Sequence, residues 1–417
     1  MAARFGPSFA CERFTSVNGI INVTMDTEKH SVVIVGGGAG GLRAASLLSK
    51  KSHYSVTLIS KKSTFDHRTS LFRNKSGRSH RHISIPLEKV FRSRRHDIDL
   101  VRAEVSSLDP DARTLQAKTG TTYSYDSLIV ALEGESRAPH GIDSAATFNA
   151  YSASAMDELR RHLIGEFESG AAGGNYVVIG AGETGVEIVA ELKRTLDSLN
   201  KRYMKGEAKY RAVLVESERV LPKSSLSTGQ KVERRLRKKG VDVLAGKEVQ
   251  KMARGKLHFS DDKVMPATRV ILAAGRRANH FFTDSRGVFL LNQQGFVRTN
   301  SILEAEGYNN IYVVGNSKEY EHDLNTSGKI YDAEYVVSLM DAKRAGDELR
   351  EYEPPSYRAH IQLGRTWGVH EGFERTIVGR LGWLRKRWLD LSHFSTLLPT
   401  RLWFVAWTRG TRHDEIY

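Results

Sequence analysis

Apolar positions along the chain fall into short runs that alternate with amphipathic stretches. Residues 31–35 are a β-branched run, followed by a glycine turn at 36–41 and an amphipathic segment from 42 to 48. A short apolar run bounded by turn signals reads as a buried strand, and the spacing after the turn is helical. Further strands are predicted at 55–59, 114–118 and 128–132. Residues 156–168 predict a connecting helix, and Ser-Gly-Ala-Ala-Gly-Gly at 169–174 a hinge. The pattern then begins again, with a strand at 175–179, a glycine turn at 180–185 and a helix at 186–198. A strand at 212–215, a helix at 232–239 and strands at 270–273 and 311–314 complete it. Alternation of this kind implies parallel sheets wound by helices.

The last segment differs from both halves. All five tryptophans lie in it: Trp367, Trp383, Trp388, Trp403 and Trp407. Phe373, Ile377, Leu381, Leu384, Trp388 and Leu391 recur at steps of three or four, which predicts one face of a helix. Arg375, Arg380, Arg385 and Arg387 take other positions, and Leu397, Leu398, Leu402, Phe404, Val405 and Trp407 continue the apolar character past Pro399. Tryptophan and arginine on an amphipathic helix fit an interfacial anchor on anionic lipid. A helix packed on the core, or at a dimer interface, has the same period.

Composition narrows the classes. The 417 residues are 40% hydrophobic and 27% charged, as in ordinary globular proteins. The net charge of +15 points to anionic partners: nucleic acid, an anionic membrane or small anions. No nucleic-acid motif appears, so no nucleic acid is expected. No apolar run approaches the roughly 18–20 residues of a spanning helix. Cys11 is the one cysteine, which excludes an intramolecular disulfide, a dithiol relay and a thiolate zinc cage. Residues 61–102 are rich in arginine: Arg68, Arg73, Arg78, Arg81, Arg92, Arg94 and Arg95. His67, His80, His82 and His96 lie there without cysteine or carboxylate at metal spacing, so no metal is expected. Residues 1–29 read as a flexible extension, with Met25 a second plausible start.

The two glycine turns carry the chemistry. In each G-x-G-x-x-G the first glycine makes the tight turn, the second admits a pyrophosphate, and the third lets helix and strand pack. The anion then sits on open amides at a helix N-terminus. The first copy is Gly36, Gly38 and Gly41; the second is Gly180, Gly182 and Gly185. At the end of the following strand, Glu216 is placed to bond ribose hydroxyls and to repel a 2′-phosphate, which favours NADH. The matching position of the first unit is Ser60, followed by Lys61 and Lys62.

Residues 31–345 resemble the flavoproteins with two dinucleotide-binding domains, one inserted in the other. The markers are the two loops, Tyr125-Asp126 before 128–131, Ala273-Ala274-Gly275 and Gly315-Asn316. The resemblance implies an α/β chain of two Rossmann-like domains and a C-terminal amphipathic helical membrane-anchoring tail. The expected order is a flexible extension (1–29), an FAD domain (30–150), an inserted NADH domain (151–278), the FAD domain again (279–348) and a membrane-associating region (349–417). FAD is implied on Gly36, Gly38, Ala39, Gly40, Gly41, Ser60, Lys61, Ala131, Gly315 and Asn316. NADH is implied on Gly180, Gly182, Glu183, Thr184, Gly185 and Glu216, with Gly275 also in the cofactor set. Where the family has a Gly-Asp, an aspartate bonding the flavin, this chain has Asn316. Where it has a plain glycine turn, this chain reads Ala131-Leu-Glu-Gly134. FAD contacts are therefore expected to be weakened.

With one cysteine, the chain is most similar to type II NADH dehydrogenase, through 180–192, Arg219-Val-Leu-Pro222, and Gly379–Trp383 with His393, Arg401 and Trp407. That implies hydride transfer from NADH to FAD, then reduction of a membrane quinone without proton pumping. It also implies a peripheral position on the cytoplasmic side, with Glu187 at the reacting edge, and a homodimer is an open expectation. The family's glutamine-bearing helix reads Tyr331-Asp-Ala-Glu-Tyr335 here. Two alternatives stand beside this reading: a soluble NADH reductase with a protein or oxygen acceptor, and an apoptosis-inducing-factor-like flavoprotein with a binding role.

Overall fold

Strand β1 (His30–Val35), helix α1 (Ala39–Leu48) and strand β2 (Tyr54–Ser60) form the first β-α-β turn. Strands β3 (Ile98–Arg102), β4 (Ser127–Val130) and β5 (Thr147–Asn149) follow, then helix α2 (Ala153–Glu168). The second turn is β6 (Gly174–Ile179), α3 (Glu183–Tyr203) and β7 (Tyr210–Glu216). Helix α4 (Leu226–Lys238) and strands β8 (Asp242–Ala245), β9 (Arg269–Leu272) and β10 (Ile311–Val313) come next, before helix α5 (Thr326–Ala345). The C-terminal part holds strands β11 (His360–Gln362), β12 (Gly368–Glu371) and β13 (Thr376–Gly379), then helices α6 (Arg380–Leu397) and α7 (Thr400–Val405).

This computed structural model describes residues 29–66, 84–92, 97–136, 141–142, 147–170, 173–203, 209–274, 276–285, 287–319, 325–356, 358–372 and 375–410. The N-terminal extension to residue 28 with Cys11 and Met25, the histidines at 67, 80, 82 and 96, Arg68, Arg73, Arg78, Arg81, Arg94 and Arg95, Gly275 and Phe373 lie outside the described residues.

Two five-stranded parallel sheets carry the two turns. The first runs β10-β4-β1-β2-β3 and the second β5-β9-β6-β7-β8. In each, the strand before the glycine loop is central, paired on one side with the strand after the helix (His30↔Tyr54; Gly174↔Tyr210). Ligands of such sheets bind beyond the carboxyl ends of the central strands. Thr147–Asn149 pairs with Arg269–Leu272 in the second sheet, although it lies on the first side of the boundary expected at residue 150. Buried Val32, Ile34, Leu58 and Ile129 join α1 and α5 over one face of the first sheet. Each such side chain contributes about 1.5–3 kcal/mol. Arg43 Nε donates to Glu334 Oε1 at 2.8 Å and ties α1 to α5.

The C-terminal segment corrects the expected tail. Ile377 lies in strand β13, and the helix starts only at Arg380. Strands β11, β12 and β13 form an antiparallel sheet that packs on the second unit through Ala359, Ile361, Leu363 and Val369. Phe394, Leu397, Leu398 and Ala406 pack on the first unit. The segment therefore bridges both units. Trp367, Trp383, Trp403 and Trp407 are half-buried, and Arg387 lies over the Trp407 ring at 4.6 Å. Trp388 alone of the five is exposed, at 67%, on one face with Leu381 and Leu384, and Phe404 is exposed on α7. Among the described residues no helix is long and apolar enough to cross a membrane.

Candidate functional site

Both loops close with equivalent bonds. The Gly36 N–H donates to Ile59 O and the Ala131 N–H to Val35 O, each at 2.8 Å. The Gly180 N–H donates to Val215 O and the Ala273 N–H to Ile179 O, again at 2.8 Å. Gly36 and Gly180 take φ of +116° and +104°, where a side chain is strained. A Cβ on Gly41 would lie 1.9 Å from Gly36 O, and one on Gly185 would lie 1.8 Å from Gly180 O. These four glycines are therefore required by packing before any ligand is considered.

The second glycines differ. A Cβ on Gly182 would meet nothing within 4 Å, so a ligand backbone has clear approach. A Cβ on Gly38 would meet Glu133 Oε1 at 3.1 Å. Lys329 at the start of α5 holds that carboxylate, its Nζ 2.7 Å from both oxygens.

The first loop walls a cavity of 270 Å³. Gly36, Gly38, Ala39, Ser60, Lys61 and Ala131 line it, together with Glu133 and Lys329. Gly40 and Gly41 lie behind it, with Gly40 close to Val314. Gly38 caps α1 without a side chain, and the first turn of α1 carries no acid, so its amides face the cavity's end of the helix unneutralised by local sequence. The glycine cradle and the open helix N-terminus fit the pyrophosphate of a dinucleotide. Two expected contacts are otherwise engaged. The Ser60 hydroxyl donates to Lys62 O at 2.8 Å, and Lys61 pairs with Glu104 at 2.9 Å. Hydrogen bonds from Lys61 and Lys118 hold Glu104 down to about 2.

Asn316 is buried beside Gly315, and neither lines the cavity. The Gly315 N–H donates to Asp332 Oδ2 at 2.8 Å, and Lys318 Nζ lies 3.0 Å from the same oxygen. The Tyr352 hydroxyl donates to Asp332 as well. This fully buried pair supports the Gly-Asn turn from beneath. Burial pushes Lys318 down and Asp332 up.

At the second loop, Glu216 Oε2 accepts the Ala181 N–H at 2.6 Å. Its other oxygen accepts from Ser217 N–H at 2.9 Å. The carboxylate thus lies across the mouth of the turn. Arg219 clamps the next bend, donating to the carbonyls of Leu221 and Pro222 at 2.9 and 2.7 Å, while the Leu221 N–H reaches Ala181 O at 2.9 Å. Glu183 and Thr184 open α3. Glu183 and Glu187, four apart on that helix, accept the N–H groups of His360 and Gln362, two apart on β11, at 2.8 and 2.7 Å. One helix face thereby fastens one strand edge. Burial pushes the Glu183 carboxyl up to about 7.

A buried polar cluster lies under α6. Lys386 pairs with Asp390 at 2.5 Å, and His393 Nε2 shares a hydrogen bond with the Ser327 hydroxyl at 2.6 Å. His360 stacks on His370 at 4.6 Å. Burial lowers His393 to about 4 and His360 to about 3.

Residues 30–330 match the pyridine nucleotide-disulphide oxidoreductase family. The chain belongs to that family. Its relatives include a type II NADH:quinone oxidoreductase of Mycobacterium tuberculosis, 29% identical, covering 93% of this chain and 90% of the relative. Another type II NADH:quinone oxidoreductase, from Staphylococcus saprophyticus, is 26% identical and covers 88% of this chain and 95% of its own. Among solved structures, the fold is similar to that of NDH2 from Plasmodium falciparum in complex with NADH, with a TM-score of 0.77 at 13% identity over 93% of this chain and all of the other. A sulfide:quinone oxidoreductase from Aquifex aeolicus gives 0.75 at 19% identity, covering 88% and 91%.

For a pyridine nucleotide-disulphide oxidoreductase with one cysteine, the acceptor is not an intramolecular disulfide of its own. Sequence reasoning missed Lys329, Lys318 and Asp332. The irregular turn at 131–134 was the one signal near Glu133, and its partner lies 196 residues away.

Proposed function

We propose that the chain oxidises NADH, with FAD on the first loop, and delivers the electrons to a membrane quinone without pumping protons. The observation that supports this most is the doubled dinucleotide cradle in a chain with a single cysteine. The similarity to type II NADH:quinone oxidoreductases runs through the C-terminal part as well. Bound FAD supplies the two-electron centre between NADH and quinone. The chain's own part is binding and orientation. Gly36, Gly38, Ala39, Gly40 and Gly41 offer the anion cradle of the first loop, and Gly180, Gly182 and Gly185 that of the second. Glu216 selects NADH by accepting from the ribose. Glu187 serves as a positioning residue: through Gln362 it sets the C-terminal sheet against the start of α3. Glu187→Gln is expected to slow flavin reduction or quinone turnover, and unchanged rates in both remove it from the site.

The same reading places the exposed Leu381, Leu384, Trp388 and Phe404 face, flanked by Arg380, Arg385 and Arg401, on an anionic membrane at its NADH-bearing, cytoplasmic side. A lipophilic quinone then enters from the bilayer. The test is flotation with vesicles containing anionic lipid, beside NADH oxidation with a short-chain quinone. The wild type is expected to float and to turn over; a Leu384→Glu, Trp388→Glu variant is expected to turn over without floating. Absence of quinone-dependent turnover contradicts the function, and unchanged flotation contradicts the membrane face. A concentration-dependent dimer lost in that variant assigns the face to a second copy instead.

A further inference from the structure

We propose that Glu133 occupies the anion position of the first loop as an internal stand-in, and that Lys329 passes from Glu133 to the cofactor's phosphates when FAD binds. The inference rests on the reading that FAD takes the first loop.

Four observations carry it. First, the Glu133 carboxylate lies against Gly38, the glycine whose missing side chain leaves room for a pyrophosphate in this turn. Second, Gly38 and the first turn of α1 supply no local anion, so the helix end is positive and attracts a carboxylate from elsewhere. Third, Lys329 reaches that carboxylate from α5 with its side chain only 9% exposed, and its stem lies where a Cβ on Gly315 would meet it at 3.6 Å. A buried ammonium needs an anionic partner in either state. Fourth, the second loop is built on the same bonds but has no side chain against its second glycine: Gly182 faces open space, and the carboxylate of that loop, Glu216, bonds the Ala181 N–H instead.

A phosphate and the Glu133 carboxylate are both anions and repel at this range. Binding therefore turns Glu133 away, toward solvent, where 24% of its side chain already lies. The lysine keeps a partner throughout. Two consequences follow. Glu133 weakens FAD binding and stabilises the empty protein. Lys329 strengthens FAD binding and needs Glu133 only while the loop is empty.

The test is FAD uptake by the deflavinated full chain, followed by quenching of flavin fluorescence, with the melting temperature of the empty protein measured in parallel. Glu133→Gln is expected to tighten FAD about tenfold while lowering the melting temperature of the empty form. Lys329→Met is expected to weaken FAD by about tenfold or more. A merely structural pair moves both readouts of Glu133→Gln downward together. Unchanged or weaker FAD binding by Glu133→Gln, with uptake by the wild type intact, overturns the proposal and leaves FAD on the first loop. If neither form takes up FAD while NADH still binds, the FAD reading fails and this proposal with it.

Discussion

The two glycine loops rest on matching hydrogen bonds, yet their second glycines look onto different surroundings. Gly182 meets open space; Gly38 meets Glu133, held by Lys329. The strand that follows each loop also ends differently. Glu216 lies across Ala181, whereas the Ser60 hydroxyl turns back to Lys62. The first glycine of each motif answers to backbone beyond a neighbouring strand, at Ala131 or Ala274, and the third to the carbonyl of the first, so the motif specifies the frame. What faces the ligand is supplied by residues far along the chain, and so one frame serves two purposes.

The largest expected effect separates the support beneath the first loop from that of the second. Lys318→Met leaves Asp332 buried without its cation, at a cost of about 3–5 kcal/mol. Calorimetry is expected to show the first unit melting ahead of the second. A single transition at the wild-type temperature breaks the assignment. Next, Gly41→Ala and Gly185→Ala each drive a methyl into a carbonyl oxygen. Each is expected to weaken its own cofactor by about a hundredfold and to leave the other within about twofold. Loss of both cofactors in either variant breaks the independence of the loops. Smaller again, Glu216→Ser gives the second loop the residue type of the first. The preference for NADH over NADPH, read as the ratio of kcat/KM, is expected to fall about tenfold.

A separate effect, read against pH, concerns the segment that bridges the units. His393 faces Ser327 of α5, with Lys386 and Asp390 of its own helix near it, and burial lowers it to about 4. Its contribution to stability is complete above the unfolded pKa near 6.5. It is lost as pH falls from there toward 4, because the unfolded chain then binds a proton that the fold refuses. The slope per histidine is at most about 1.4 kcal/mol per pH unit. His393→Asn is expected to flatten the acid limb of melting temperature against pH. An unchanged limb removes His393 as its source.

Much of this frame was legible in the sequence. Both β-α-β turns were readable because a β-branched run, three glycines and an amphipathic helix lie within about 20 residues. Helix α3 begins at Glu183 rather than Val186, and α1 at Ala39 rather than Leu42, since the glycine turn itself enters the helix. The start of the C-terminal helix departs from its pattern for a physical reason. Ile377 and Leu381 stand four apart, as on a helix, but a strand ends between them. Helix α6 carries its apolar stripe outward, as an interfacial anchor would. Lys386, Asp390 and His393 face inward while Leu381, Leu384 and Trp388 face out, and periodicity does not say which stripe meets the core. The pairs Glu133–Lys329 and Glu187–Gln362 join residues 196 and 175 apart, so no local pattern announces them.

The central claim is that the two loops hold a donor and its acceptor. It is tested most directly by anaerobic titration of the FAD-loaded protein with NADH, followed by a short-chain quinone. The account predicts loss of the flavin's visible absorbance at one NADH per flavin and its return on adding quinone. Flavin that stays coloured in excess NADH, with NADH bound, contradicts it.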